Sequence, residues 1–312
     1  MAVLEDITSP PAAGLRPRGV SQRERWSRRL PLLPALIFVI VVTQVPFLVT
    51  LWYSFQNYFW NEPGGAHWTG ISNYKEVFTD PNFRSALWRS VTMTAISVIV
   101  AMALGIALAV LLDKKFVGRG IVRTLIITPF LVMPAAAALI WSGPMLDPNF
   151  GLLNWLLEPF GVNHIAWLTT HAYGSVIVVM IWQWTPFMTL IVLAGLQGQA
   201  SDVLEAAKVD GAGALATFRE LTLPHLRPYI ELGVLLGSIY LVTTFDQVRL
   251  MTNGGPGTTT TTLPFYLYQK VNYAFDIGGS AAAGVVTVIL TLIVASFALR
   301  MFARVFQFEE AK

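Results

Sequence analysis

Long apolar runs alternate with short polar stretches along nearly the whole chain. Runs long enough to cross a membrane, about 20 residues each, occupy roughly 32–55, 88–112, 121–142, 174–196, 229–250 and 282–303 of the 312 residues. This pattern predicts six transmembrane helices, because a segment in hydrocarbon satisfies its own backbone polar groups only as a helix. Pro34 and Pro46 in the first run, Pro129 and Pro134 in the third and Pro186 in the fourth predict kinks. Each proline lacks a backbone donor and frees a carbonyl that a neighbour or a cavity must satisfy. Residues 71–87 predict a short amphipathic helix-turn stopped at Asp80-Pro81. Near 251–257, Asn253-Gly254-Gly255-Pro256-Gly257 predicts a compact turn, followed by a threonine run from Thr258 to Thr262.

One polar stretch stands apart, between the fourth and fifth runs. Ser201 is the expected N-cap, with Asp202 and Glu205 in the first turns where the helix dipole favours them. Ala206 and Ala207 are strong helix formers. Gly211 ends this helix by adopting a left-handed conformation, and Gly213 loosens the join. A second short helix is expected to run to about Leu221, where Leu223-Pro224 stops it. Two short helices meeting at a glycine corner have no core of their own and need a partner.

Composition agrees with the pattern. Hydrophobic residues make up 54% of the chain and charged residues 12%, against about 25% charged in a soluble domain. Cysteine is absent, which excludes a disulfide framework and a thiolate metal site. The net charge is +3, and its distribution matters more than its sum. Placing the N-terminus inside puts 16 of the 21 Lys and Arg in inner segments, the bias expected of cytoplasmic loops. That orientation makes the polar stretch and both termini cytoplasmic. The basic residues fall between spans rather than on one face, which excludes nucleic-acid binding. Residues 1–30 read as a disordered basic cytoplasmic tail, not a signal peptide, because the apolar run behind them is too long. No Gly-Lys dipeptide occurs, so the chain lacks a phosphate-binding loop of the G-x-x-x-x-G-K-[ST] type. His67, His164 and His171 are expected outside and His225 inside, with no metal-binding spacing among them.

The polar stretch also carries a resemblance. Glu205-Ala206-Ala207, Asp210-Gly211-Ala212, Phe218 and Leu223-Pro224 resemble the EAA loop of ATP-binding-cassette importer permeases. Gly70-Ile71-Ser72-Asn73-Tyr74, with Phe78 and Asp80-Pro81-Asn82-Phe83, resembles the first outer loop of the carbohydrate-importer class, that of the maltose system. Thr252-Asn253-Gly254-Gly255-Pro256 is similar to that class's marker after the fifth core span. Ser90-Val91 departs from the usual Asn-Thr of the family. The resemblance covers nearly all of the chain after the tail. It implies an all-α integral membrane protein with the type I ABC importer permease fold. The permease domain is then 31–308, with a coupling loop at 199–228 between the fourth and fifth transmembrane helices and a cytoplasmic tail at 309–312.

The function implied is translocation of a sugar or sugar alcohol across the cell membrane by alternating access. The chain would be a transport subunit and not an enzyme, with ATP and Mg held by partners. Those partners are a second permease subunit, two cytoplasmic ATP-binding subunits and an extracytoplasmic substrate-binding protein. Coupling falls to Glu205, Ala206, Ala207, Asp210, Gly211, Ala212, Phe218 and Pro224.

Sugar binding needs aromatic faces and polar groups within the spans. Residues 182–187 are the richest cluster, with Gln183, and Trp184 and Phe187 resemble lining positions of the maltose-type permease. Gly237, Leu241 and Thr244 also resemble lining positions, although Leu241 departs from the polar type of the maltose system. Tyr240, Asp246 and Gln247 add polar groups, and Phe130 is a third-span candidate. Each aromatic has an alternative as a lipid-facing or core residue, and Asp246 has an alternative as the partner of Arg249, three residues on. An ion- or proton-coupled secondary transporter is the competing function. It calls for charged residues at mid-membrane, and the spans carry charge only towards their ends.

Overall fold

The computed structural model describes residues 33–162 and 164–310. The 1–30 tail and the last two residues of the predicted 309–312 tail lie outside them. The chain divides into two units, residues 1–49 and 50–312. Most of α1 (Leu33–Tyr53) belongs to the first; Pro46 lies inside it, whereas Pro34 is its second residue and starts the helix instead of kinking it.

Among the described residues, four helices are long and apolar enough to cross a membrane: α1, α3 (Pro81–Asp113), α8 (Ala172–Gln197, after the short helices α6, Leu152–Leu157, and α7, Trp167–Thr170) and α13 over Ile277–Phe297. A bent pair, α4 (Arg119–Leu131) and the segment Pro134–Met145, brings the total to five if it is one span, with a 101° bend between its halves. That segment is α5 (Pro134–Ile140) followed by a π turn, Trp141–Met145. The third predicted span is thus broken, not kinked. Pro134 opens α5, and the residue before a proline is disfavoured in the helical region; Met133 is extended.

The fifth predicted span is also discontinuous. α11 runs Leu223–Val242, the chain unwinds through 243–245, and helical structure resumes to Thr252. His225, Arg227 and Glu231 occupy its first turns, which leaves a short apolar run. Asp80-Pro81 does more than stop α2 (Ser72–Thr79). Asp80 ends α2 and caps α3, its carboxylate accepting from the Asn82 amide at 2.8 Å, and Pro81 is the first residue of α3. The helix that carries the second predicted span therefore begins well before residue 88.

The main core lies where α3, α8 and α11 meet. Met93, Val98, Ala101 and Met102 from α3, Val179, Met180, Met188 and Val192 from α8, and Ile230 and Val234 from α11 are all buried there. Met188 fills the junction. At Gly105 an added Cβ would sit 2.6 Å from Met188 Cβ and 3.0 Å from backbone atoms. Small residues let membrane helices approach this closely.

A second cluster closes the loop end. Val77 and Phe83 pack with Leu263 and Tyr266 of α12 (Leu263–Asn272) and with Ala282, Ala283 and Val286 of α13 (Ile277–Glu310). Polar ties surround it. Ser90 Oγ accepts from Leu263 N at 2.7 Å, Tyr266 donates to Asp80 Oδ2 at 2.5 Å, and Lys270 Nζ reaches Glu76 at 2.8 Å and Asp276 at 3.0 Å. Burial, and then the Asp80 carboxylate, push the Tyr266 hydroxyl well above its ordinary range, so it remains a neutral donor. Burial alone would lower Lys270, but its two carboxylate partners outweigh it and the net shift is upward from 10.5.

Candidate functional site

The two broken helices both border the middle of α8. Where α4 ends, the Val132 carbonyl has no helical partner ahead of it. Gln183 Nε2 donates to that oxygen at 2.8 Å. Gln247, just past the break in the fifth span, donates through Nε2 to Gln183 Oε1 at 2.7 Å. Gln183 and Gln247 are 4% and 3% exposed, so a buried amide pair joins one break to the other. Thr262 Oγ1 donates to the Thr244 carbonyl at 3.3 Å, within the second break.

Beside this pair lies an aromatic surface. Phe130 stacks on Phe187, with ring centroids 5.2 Å apart, and meets Trp184 edge-on at 5.8 Å. Trp184 in turn contacts Phe187 at 5.4 Å and Tyr240 at 5.6 Å. Phe130, Trp184 and Phe187 are half-buried, and Tyr240 is 60% exposed. Four candidates from three separate runs thus form one open face. Gly237 and Leu241 lie elsewhere: both are buried, Leu241 in the core and Gly237 where a Cβ would fall 2.5 Å from Met188 Cε. Half-buried Asp246 forms no ion pair with Arg249. The Arg249 guanidinium donates to Asn253 Oδ1 at 2.7 Å and lies 5.3 Å from the Tyr268 ring centre. No hydrogen bond or ion pair engages the Asp246 carboxylate among the described residues.

The Gly-Gly-Pro turn needs its first glycine for a legible reason. Asn253 and Gly254 are left-handed, and a Cβ on Gly254 would lie 2.4 Å from Phe265. The threonine run holds it: Thr260 Oγ1 donates to the Gly255 carbonyl at 3.1 Å and Thr261 Oγ1 to that of Gly254 at 3.2 Å.

At the other end of α8 lies the glycine-cornered module. α9 spans Ser201–Val209, with Ala200 as its cap residue, so Ser201 is its first residue and not the N-cap. Gly211 has φ +78°, and Ala212 N donates to Ala207 O at 2.9 Å. α10 (Ala214–Thr217) follows Gly213. It does not stop at Leu223-Pro224. A π turn, Phe218–Thr222, carries it straight into α11, where Pro224 is in the first turn and needs no hydrogen-bond partner. Glu205, Ala206, Asp210 and Ala212 are exposed, Ala207 is buried and Phe218 is half-buried. Val209 and Leu215 flank the corner, 87% and 80% exposed. Their signal in the sequence is two apolar residues on either side of the polar Asp210-Gly211-Ala212.

The model for binding-protein-dependent transport system inner membrane components matches residues 101–307. The chain belongs to this family. The permease is 38% identical over 85% of its length to a probable ABC transporter permease protein, y4oQ, of Sinorhizobium fredii, covering 86% of that protein. It is 32% identical to the trehalose/maltose transport system permease protein MalF of Thermococcus litoralis, covering 86% of this chain and 91% of that one. A bacterial alginate ABC transporter, solved in complex with an alginate pentasaccharide-bound periplasmic protein, has a chain with the same fold. Its TM-score is 0.77 at 20% identity, over 91% of the permease and 96% of that chain. The permease is a multi-pass inner-membrane transport subunit of an ABC importer.

Proposed function

We propose that the permease carries a sugar or sugar alcohol along a path past Phe130, Trp184, Phe187 and Tyr240, with Asp246 gripping its hydroxyls. The observation that carries this reading is the open aromatic face beside two helix breaks at the centre of α8. Discontinuous helices at mid-membrane are where transporters build substrate sites, and aromatic faces stack on sugar C–H groups. The names of relatives, such as the trehalose/maltose permease, support the same substrate class. Thr244 adds a hydroxyl at the second break. The buried Gln183–Gln247 pair holds the two breaks in register, with Gly237 and Leu241 beneath as packing.

In this reading the chain crosses the membrane six times, with α11 and the segment to Thr252 as the fifth crossing. Both termini are cytoplasmic, and α9 is the coupling helix. Val209 and Leu215 join Ala206, Gly211 and Ala212 on the surface that enters an ATPase subunit. The chain has no ATPase of its own; two partner subunits hold ATP and Mg. A second permease chain covers the aromatic face and completes the path. An extracytoplasmic binding protein delivers substrate to the end bearing α2 and α12, where a groove of about 420 Å³ is lined by Asp80, Tyr266, Lys270 and Tyr273.

The test is ATPase activity of the reconstituted importer across a panel of neutral disaccharides, monosaccharides and polyols, each with its binding protein. At least one is expected to stimulate hydrolysis, and Trp184→Ala to abolish its transport with the complex intact. Unchanged transport in Trp184→Ala would remove the aromatic face from the path.

A further inference from the structure

We propose that the first turns of α3 hold the phosphodiester of a membrane phospholipid, between Arg84 and Arg89. The depth of these arginines follows from the chain itself. From Ser90 to Leu112 no residue is charged, and Asp113, Lys114 and Lys115 follow at once. At 1.5 Å per residue that run is about 34 Å long, close to the hydrocarbon thickness of about 30 Å. Arg89 therefore lies at the level where hydrocarbon ends and phosphates begin. Trp88, 69% exposed, is at the same level, as expected for an indole at a membrane interface.

The site has the right charge, and no carboxylate among the described residues neutralises it. Pro81, Arg84, Ser85, Trp88 and Arg89 line a groove of about 380 Å³. Arg89 Nη1 is buried without a hydrogen-bond partner. Neither Arg84 nor Arg89 forms an ion pair among the described residues. The nearest carboxylate in sequence is committed elsewhere, since Asp80 accepts from the Asn82 amide and from Tyr266. A guanidinium left without a carboxylate favours an anionic partner, and a phosphodiester offers oxygens that match its fork. The Ser85 hydroxyl supplies a further donor. The acyl chains of such a lipid would run down the uncharged face of α3, past Ile96, Ile99 and Val100, all exposed. A free anion in water gains nothing from that apolar surface, so a lipid is favoured over inorganic phosphate. The proposal needs only that α3 crosses the membrane.

The experiment is native mass spectrometry of the full importer complex, extracted from membranes containing phosphatidylglycerol. The wild-type complex is expected to retain phosphatidylglycerol, and Arg84→Gln and Arg89→Gln each to reduce retention about fivefold. Arg89→Lys, which keeps the charge but not the fork, should retain an amount between the wild type and Arg89→Gln. Excess inorganic phosphate should not displace it. Equal retention by the wild type and the double Gln variant overturns the proposal. Displacement by inorganic phosphate also overturns it, in favour of a free-anion site. Loss of a protein subunit from Arg89→Gln with lipid retained overturns it in favour of a protein contact. If Arg89→Gln does not assemble, exposed Arg84→Gln alone decides.

Discussion

At the scale of single residues, the amide pair and the lone carboxylate make opposite predictions. Gln183→Leu leaves the Val132 carbonyl and the Gln247 amide without partners, and should cost about 1–3 kcal/mol of stability. Gln247→Leu removes only one bond and should cost less. The two together should be less than additive by about 0.6 kcal/mol, the average for hydrogen bonds between membrane helices, and by no more than about 1.7 kcal/mol. Thermal unfolding of the four proteins in detergent checks this; strict additivity would mean the pair is not coupled. Asp246 is engaged by no described residue, so Asp246→Ala should leave assembly intact and slow transport about tenfold or more, the loss of a charged hydrogen bond to substrate. Equal loss of assembly and transport would restore the structural role. The sequence offered both alternatives for Asp246. Spacing at i, i+3 permits the Arg249 pair, but Arg249 turns instead to Asn253, four residues on, and to the Tyr268 ring; helical spacing allows either polar partner and says nothing of the ring. Gly105→Val belongs here too. The contact is with Met188 Cβ and backbone, not with a flexible tip, so overpacking should cost about 1–3 kcal/mol, read as a lower Tm.

At the scale of elements, proline does more joining than stopping. Asp80-Pro81 ends α2 and starts α3, and Pro224 sits inside the first turn of α11. A proline tolerates the first turn of a helix, so sequence marks a boundary there without saying which side is helical. The glycine corner was legible in full, because a helix ending in Asp-Gly needs the left-handed conformation Gly211 adopts. Gly211→Val puts a β-branched residue at φ +78°, where only glycine is at ease. The expected result is a chain that inserts normally but loses both ATPase co-purification and uptake. Retained co-purification with normal uptake would show that the corner is not the docking element. In the loop cap, Lys270→Met takes the cation from Asp276, whose side chain is 10% exposed and keeps only the Gly279 amide, and should cost about 3 kcal/mol. Because Lys270 is raised above 10.5 by its carboxylates, its contribution is complete at neutral pH. It fades only as strongly alkaline pH passes the folded-state value, which a Tm series across pH would follow in the wild type and not in Lys270→Met.

At the scale of the whole molecule, the order of residues determined that the chain is a mostly helical, multi-pass membrane protein, and the family to which it belongs. Transfer free energy sums along a run of side chains regardless of what lies beside it, so apolar runs announce themselves, and so does a polar module between them. Partner choice does not sum in this way. That Gln183 satisfies Val132, that Gln247 completes the bridge, and that Phe130, Trp184, Phe187 and Tyr240 share one face depend on which segments lie side by side. The breaks at 132–133 and 243–245 follow the same rule. A helix can open inside a membrane only where a neighbour takes up the freed backbone groups, and here those neighbours are Gln183 and Thr262, 51 and 18 residues away in the chain.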